Sequence, residues 1–223
     1  MGIKRSELTQ LQKRIAEEVP GFELREKRDS KLLWVGYYGL LMFLWQKDFM
    51  VSFWTTLGKI VYTPFLGDFG KDVAGDFATL WHERRHLLDL QWLEKKLTKP
   101  VAGVLWGFGY AMPQIFALGA LGAIWGSWWW LLCVAFLAPL PAPFRTFIEL
   151  RGYKASIEAW YKMTGKLPNP DDEWLMRMVN ETFCGMKYYK MSWRPKAIHA
   201  WFLEAIEDLR AGNGELVPGP PPN

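Results

Sequence analysis

Histidine is scarce in this chain. The 223 residues include only three, so imidazole chemistry, if there is any, falls to very few side chains. Cysteine is scarcer still, with Cys133 in an apolar run and Cys184 in a mixed one. Two distant thiols exclude a disulfide-built scaffold and a thiolate metal cluster with paired CxxC spacing, and each reads as a buried thiol. Blocks of Lys or Arg are also missing. A net charge of +4 spread along the chain does not make the cationic run that neutralises successive phosphates, so nucleic acid is not an expected partner. The opening MGIKRSELTQLQKRIAEE is charged throughout and lacks the apolar core of a signal peptide, which points to a cytoplasmic start. The largest absence is local: from Val101 to Phe144 there is no Asp, Glu, Lys or Arg.

What is present is aromatic. Half of the residues are apolar, with 14 Trp, 14 Phe and 8 Tyr, so aromatic burial dominates any core. The length suits one domain. Residues 5–19 place Leu8, Leu11 and Ile15 at helical spacing before Pro20-Gly21, which predicts an amphipathic helix. An apolar segment, LLWVGYYGLLMFLW, starts at Leu32; β-branched and aromatic residues around Leu57-Gly58-Lys59 then predict a β-hairpin over 49–63, ended by Pro64. Asp76 is the expected N-cap of a helix from Phe77 to about Leu97, with Lys95, Lys96 and Lys99 suiting its C-terminal end and Pro100 preventing continuation. Further helices are expected over 145–163, 171–182 and 195–211, and the Pro-rich end reads as a disordered tail over 213–223. Helices with a small hairpin make the expected fold α+β. A single domain over 1–212 carries the apolar segment 101–143 as an insertion.

The stretch TLWHERRHLLD, residues 79–89, carries the chemistry. On a helix His82 and His86 stack one turn apart, so both imidazoles can reach one zinc ion at about 2.0–2.1 Å. Glu83 lies beside them without being a ligand. A zinc ion held there makes water acidic near neutral pH, and a neighbouring carboxylate can take its proton and pass it to a leaving amine. HExxH strings also arise by chance on charged helices. Here two of the three histidines fall in one such string, flanked by Leu80, Trp81, Leu87, Leu88, Leu90 and Leu93, and charge on a mostly buried helix is costly without a purpose.

A catalytic zinc takes three protein ligands. The positions that would complete HExxHxxGxxH hold Asp89 and Trp92, and His199 sits remotely in KAIHAWF. Asp89, three residues past His86, suits a role orienting a histidine better than ligation. Beyond Glu94 the next acidic residue is Glu149, on a separate predicted helix with Arg145 and Tyr153 one turn to either side. Glu149 ranks ahead of Glu158, nine residues on, as the third ligand. Tyr153 is a candidate hydroxyl donor to the oxyanion of a tetrahedral intermediate, or a core tyrosine. Arg145 is a candidate partner for a carboxylate of the site or substrate, or a surface charge.

The order of elements resembles the small gluzincin-type zincins known as minigluzincins. A helix is followed by a hairpin ending TTLGKIVYTP, a helix with HExxH, and a later helix with ELRGY. FLAPLPAPFR before IELRGY, and FCGMKYYKM after it, look most like uncharacterised phage-encoded and bacterial members. The resemblance covers roughly residues 45–195 and implies a zincin-like fold, zinc on His82, His86 and Glu149, Glu83 as catalytic base, and a phage or bacterial setting. The chain departs from better-known gluzincins in lacking an NExxxD-type motif.

Two readings of function follow. The first is a zinc metallopeptidase acting on a peptide or protein substrate aligned along the strand Ile60, Val61, Tyr62. The second is a phage or membrane-associated structural protein that keeps the fold without catalysis. The charge-free run 101–143 bears on both. Val101 to Leu121 has the length of a membrane span of about 20 residues, whereas Trp128 to Leu140 is short. Gly103/Gly107 and Gly122/Gly126 allow close helix approach, and Trp128–Trp130 suit a lipid interface. An apolar helical hairpin is expected, either in contact with a membrane or virion partner or folded over the cleft.

Overall fold

The structure, a computed structural model, describes residues 3–36, 49–138, 140–186 and 190–216. Helix α1 (Arg5–Glu18) buries Leu8, Leu11 and Ile15 on one face, as their spacing requires. The chain reverses at Gly21, whose φ of 89° suits a residue without a Cβ. It then forms strand β1 (Glu23–Glu26), a 3-10 turn (Lys27–Asp29) and helix α2 (Lys31–Gly36). The remainder of the apolar segment and the Gln46-Lys47-Asp48 that follows it, residues 37–48, lie outside the described residues. A single helical turn, α3 (Phe49–Ser52), precedes strands β2 (Thr55–Leu57) and β3 (Ile60–Thr63), joined through Gly58 at φ 62°. The hairpin is therefore shorter than the expected 49–63.

β1 adds to this hairpin as a third strand. It runs parallel to β3, with Glu23 opposite Ile60 and Glu26 opposite Thr63, and the strand order is β1-β3-β2. That order corrects one expectation directly. Ile60, Val61 and Tyr62 belong to the central strand, paired with β1 on one side and β2 on the other. Their ladder positions are taken, so they cannot receive a substrate strand. Among the described residues β2 is an edge, and it is the edge nearest the site.

Helix α4 (Val73–Lys96) starts earlier than expected. Its N-cap is Asp72, whose carboxylate accepts the Gly75 N–H at 3.0 Å. Asp76 lies in the first turn and accepts the Gly70 N–H at 2.6 Å, tying the preceding loop to the helix. Helix α5 (Lys99–Ala111) begins with Pro100 in its first turn, where the missing N–H costs nothing. Two 3-10 stretches follow, Gln114–Trp125 and Trp128–Leu137, reversing at Gly126-Ser127. Helix α6 (Pro143–Thr164) ends at Gly165 in the left-handed region. A short α7 (Glu173–Arg177) runs into a π-helical segment, Met178–Phe183, and α8 (Pro195–Arg210) closes the fold.

The described residues are thus mainly helical with one small sheet, an α+β arrangement built around the α4–α6 pair. On one side α4 and α6 share a core with α1 and β3, where Trp81, Leu80, Ile15 and Val61 are almost wholly buried. Full burial of side chains this size contributes about 1.5–3 kcal/mol each. On its other side α6 packs against α7, the π-helical segment and α8 through Leu175, Phe183 and Phe202.

The two arginines of HERRH hold the fold rather than the site. Arg84, 5% exposed, makes a two-pronged pair with Glu18 at 2.6 and 2.9 Å and reaches Glu215 at 2.7 Å. Such forked pairing is what makes a buried guanidinium tolerable. Glu158 accepts the Trp81 indole N–H at 3.1 Å and the Leu216 N–H at 2.6 Å. Residues 213–216 are therefore pinned to α4 and α6, and the tail expected over 213–223 is anchored at its start. Residues 217–223 lie outside the described residues.

Candidate metal centre

His82 and His86 stand one turn apart on the face of α4 that meets α6, and Glu149 on α6 faces them. The His86 and His82 Nε2 atoms are 3.0 Å apart, and Glu149 Oε2 is 3.3 Å from His82 Nε2 and 3.8 Å from His86 Nε2. All three side chains are buried, at 9%, 5% and 5% exposure. Ligand atoms about 2.0–2.1 Å from one tetrahedral ion stand about 3.3 Å from one another. The three separations bracket that value, so the donor set fits a metal ion in its spacing as well as its chemistry.

The approach of α6 to His82 is set by Gly152, one turn past Glu149. A Cβ placed on Gly152 would fall 2.5 Å from His82 Nε2. Only glycine lets the helix come this close. Ser156 lies one turn further on, with Oγ 3.2 Å from His82 Nδ1, a partner on the ring nitrogen that leaves Nε2 directed at the cluster. The Tyr153 ring stands edge-on to His82, centroids 4.9 Å apart, and edge-on to Phe183 at 5.5 Å. The ring thus forms a wall against His82.

The electrostatics follow from burial and mutual contact. For Glu149, burial pushes the pKa up, but the hydrogen bond from His82 and the nearby charges of His86 and His82 outweigh it, and the value falls to about 2. For His82, burial pulls the pKa down, while the hydrogen bond and charge of Glu149 and the charge of Glu83 overcome it and raise the value. For His86, burial prevails, assisted by the charges of His82 and Arg85, and its pKa is lowered. Glu149 is therefore held ionised, and a metal ion binding here would have to displace the proton that Glu149 favours on His82.

Glu83, 6% exposed, sits beside the histidines, and its Oε2 accepts the hydroxyl hydrogen of Thr56 on β2. Edge strand and acidic side chain are thus linked directly. The second carboxylate oxygen of Glu149, Oε1, accepts a hydrogen bond from the Tyr110 hydroxyl on α5, which leaves Oε2 to the histidines. Tyr110 was not foreseen; the one hint in the sequence is a phenol in a charge-free run, where its hydroxyl needs a partner. Lys27 was also missed. It is fully buried in the turn after β1, and burial, only partly offset by the charge of Glu83, lowers its pKa from 10.5 to about 7.

The other candidates separate clearly. Asp89 does not orient a histidine. Its carboxylate pairs with Arg85 at 2.9 Å and with Arg151 of α6 at 2.8 Å, because one turn past His86 it reaches the arginine-bearing side of α6. Burial holds its pKa up, at about 6, despite Arg85. Arg145 stands over the Tyr110 ring, 6.0 Å from its centroid, and so borders the site behind that phenol. Glu158 is committed to Trp81 and Leu216. His199 Nε2 lies 3.0 Å from the Pro170 carbonyl oxygen, away from the cluster. Comparison with protein-family models, curated proteins and solved structures finds no match.

Proposed function

We propose that the chain is a zinc-dependent peptidase, with His82, His86 and Glu149 holding the ion and Glu83 acting as general base. The observation that carries this reading is the convergence of two histidines and a carboxylate within 4.8 Å beside a second carboxylate that is not a ligand. That division separates metal binding from proton transfer, as hydrolysis requires.

A zinc ion held by these three residues supplies Lewis acidity to water and to a substrate carbonyl, near neutral pH. The remaining chemistry belongs to the chain. Glu83 takes a proton from the attacking water and returns it to the leaving amine. Thr56 fixes the Glu83 carboxylate by donating to Oε2, so the base is oriented before substrate arrives. Ser156 holds the His82 ring and Tyr110 holds the Glu149 carboxylate. The outer edge of β2, Thr55–Leu57, offers backbone groups to an extended peptide by strand addition, and Thr56 then brings the scissile bond to the base.

The test is Glu83→Gln. Hydrolysis of a peptide library is expected to vanish while bound zinc, measured by atomic emission on the purified protein, is retained. An unchanged rate in the variant would sink the mechanism.

A further inference from the structure

The inner face of α5 is occupied: Ala102 is fully buried, Trp106 packs on Phe144 at 5.8 Å, and Tyr110 reaches Glu149. Its outer face is not. Val101, Val104, Leu105 and Phe108, at i, i+3, i+4 and i+7, form an exposed apolar stripe. After α5 the chain bends by 90° into an arm formed by Gln114–Trp125 and Trp128–Leu137, which pack on each other through Phe116 and Phe136 at 5.3 Å. The arm's outer side chains Leu118, Leu121, Ile124, Trp128, Trp129 and Leu132 are each more than half exposed.

An apolar surface of this extent, continuous from a helix stripe to a whole arm, requires an occupant. The chemistry chooses among occupants. Protein interfaces have an apolar centre and a polar rim, yet the chain carries no charged residue from Val101 to Phe144. Charge returns at its borders: Lys95 and Lys96 at the end of α4 and Lys99 at the start of α5 are all exposed, and Arg145 follows Phe144. An apolar body with a cationic border matches a bilayer with anionic headgroups.

We propose that α5 and the arm dock on a lipid bilayer containing anionic lipid. α5 lies in the interface with its stripe facing the acyl chains and the lysines among the headgroups. The 90° bend then points the arm along the membrane normal. Its twelve-residue first limb, at about 2.0 Å per residue, is about 24 Å long. That is short of a hydrocarbon core of about 30 Å, so the arm enters the bilayer without crossing it. This inference goes beyond the peptidase reading and does not depend on it, although Tyr110 places the metal centre immediately beside the docked helix.

The experiment is flotation of the full chain on a density gradient with vesicles of phosphatidylcholine, alone or with about one third phosphatidylglycerol. The wild type is expected to float, more tightly with the anionic vesicles. Leu121→Glu/Ile124→Glu/Leu132→Glu is expected to stay at the bottom with unchanged circular dichroism and zinc content. Lys95→Glu/Lys96→Glu/Lys99→Glu is expected to lose about a hundredfold in affinity for the anionic vesicles. A wild type that stays at the bottom with both vesicles, or a triple arm variant that floats like the wild type, overturns the proposal. So does a defined dimer that the arm variant dissociates while the wild type ignores vesicles, since the occupant is then a second copy. Quenching of wild-type indole fluorescence by acyl-brominated lipid checks the same point without substitutions; absence of quenching overturns it. Peptide hydrolysis is followed on the same samples, so failed flotation with intact hydrolysis rejects docking alone.

Discussion

Gly152→Ala adds one methyl group at the closest approach of α6 to the metal centre. Its Cβ would lie 2.5 Å from His82 Nε2, 2.6 Å from Cε1 and 2.9 Å from Cδ2. Ordinary contacts of this kind are near 3.5 Å, so the ring must retreat by about 1 Å. It has little room to do so, being held by Ser156 at Nδ1 and by the edge-on ring of Tyr153. The retreat carries Nε2 away from Glu149 Oε2, which it meets at 3.3 Å. Losing a merely supporting contact to a metal ligand costs about 10–100-fold in affinity, and displacing a ligand costs at least the upper figure, about 2.7 kcal/mol. The fold itself responds differently. Alanine is favoured over glycine in a helix by about 1 kcal/mol, whereas overpacking costs about 1–3 kcal/mol. Stability without metal should therefore change by at most about 2 kcal/mol. Competition against a chromophoric chelator measures the first quantity, and urea unfolding with chelator present measures the second. A Gly152→Ala protein that binds zinc as tightly as the wild type would refute the geometry of the site.

Tyr110→Phe removes the hydroxyl that donates to Glu149 Oε1; zinc affinity should fall about tenfold in the same competition assay, and unchanged affinity would mean the contact does not support the ligand. Thr56→Val frees Glu83 and should lower kcat by about 10–100-fold, the worth of a hydrogen bond to a charged group, while zinc affinity holds; an equal loss of zinc would show Thr56 acting on the fold instead. Lys27→Met tests burial of the amine through pH. The folded-state pKa of Lys27 lies near 7 against 10.5 unfolded, so between those values the unfolded chain binds the extra proton and stability rises with pH. The slope is up to about 1.4 kcal/mol per pH unit. The substitution should abolish that increment in urea unfolding midpoints compared between about pH 7.5 and about pH 9.5, and a slope identical to wild type would count against a depressed lysine.

How much was legible depends on how local each signal is. His82, Glu83 and His86 lie within one helical turn and a half, so their spacing alone fixes a common face. Glu149 was reachable because the charge-free run leaves no other acidic residue between Glu94 and itself. β1 was not legible: Glu-Leu-Arg-Glu has no apolar alternation, and its pairing with β3 bridges distant sequence. Missing β1 moved the substrate edge to the wrong strand, since two strands alone leave β3 with a free side. The cap of α4 went astray because Asp72 and Asp76 are equally competent residues one turn apart, and only the loop at Gly70 decides which serves the helix.

The same contrast separates the two motifs. In ELRGY every polar or small position has a task at the α4 interface: Glu149 faces the histidines, Arg151 pairs with Asp89, Gly152 makes room for His82, and Tyr153 walls it. In HERRH the tasks divide by face. The histidines face Glu149 and Glu83 reaches Thr56, while Arg84 reaches Glu18 and Glu215. A buried helix bearing five consecutive polar residues is affordable only if each face has its own counter-charges. The arginine pairs anchor α4 to α1 and to the C-terminal segment, which Glu158 of α6 also holds through the Leu216 N–H. On the α6-facing side, Gly152 is what permits the 3.3 Å between His82 and Glu149.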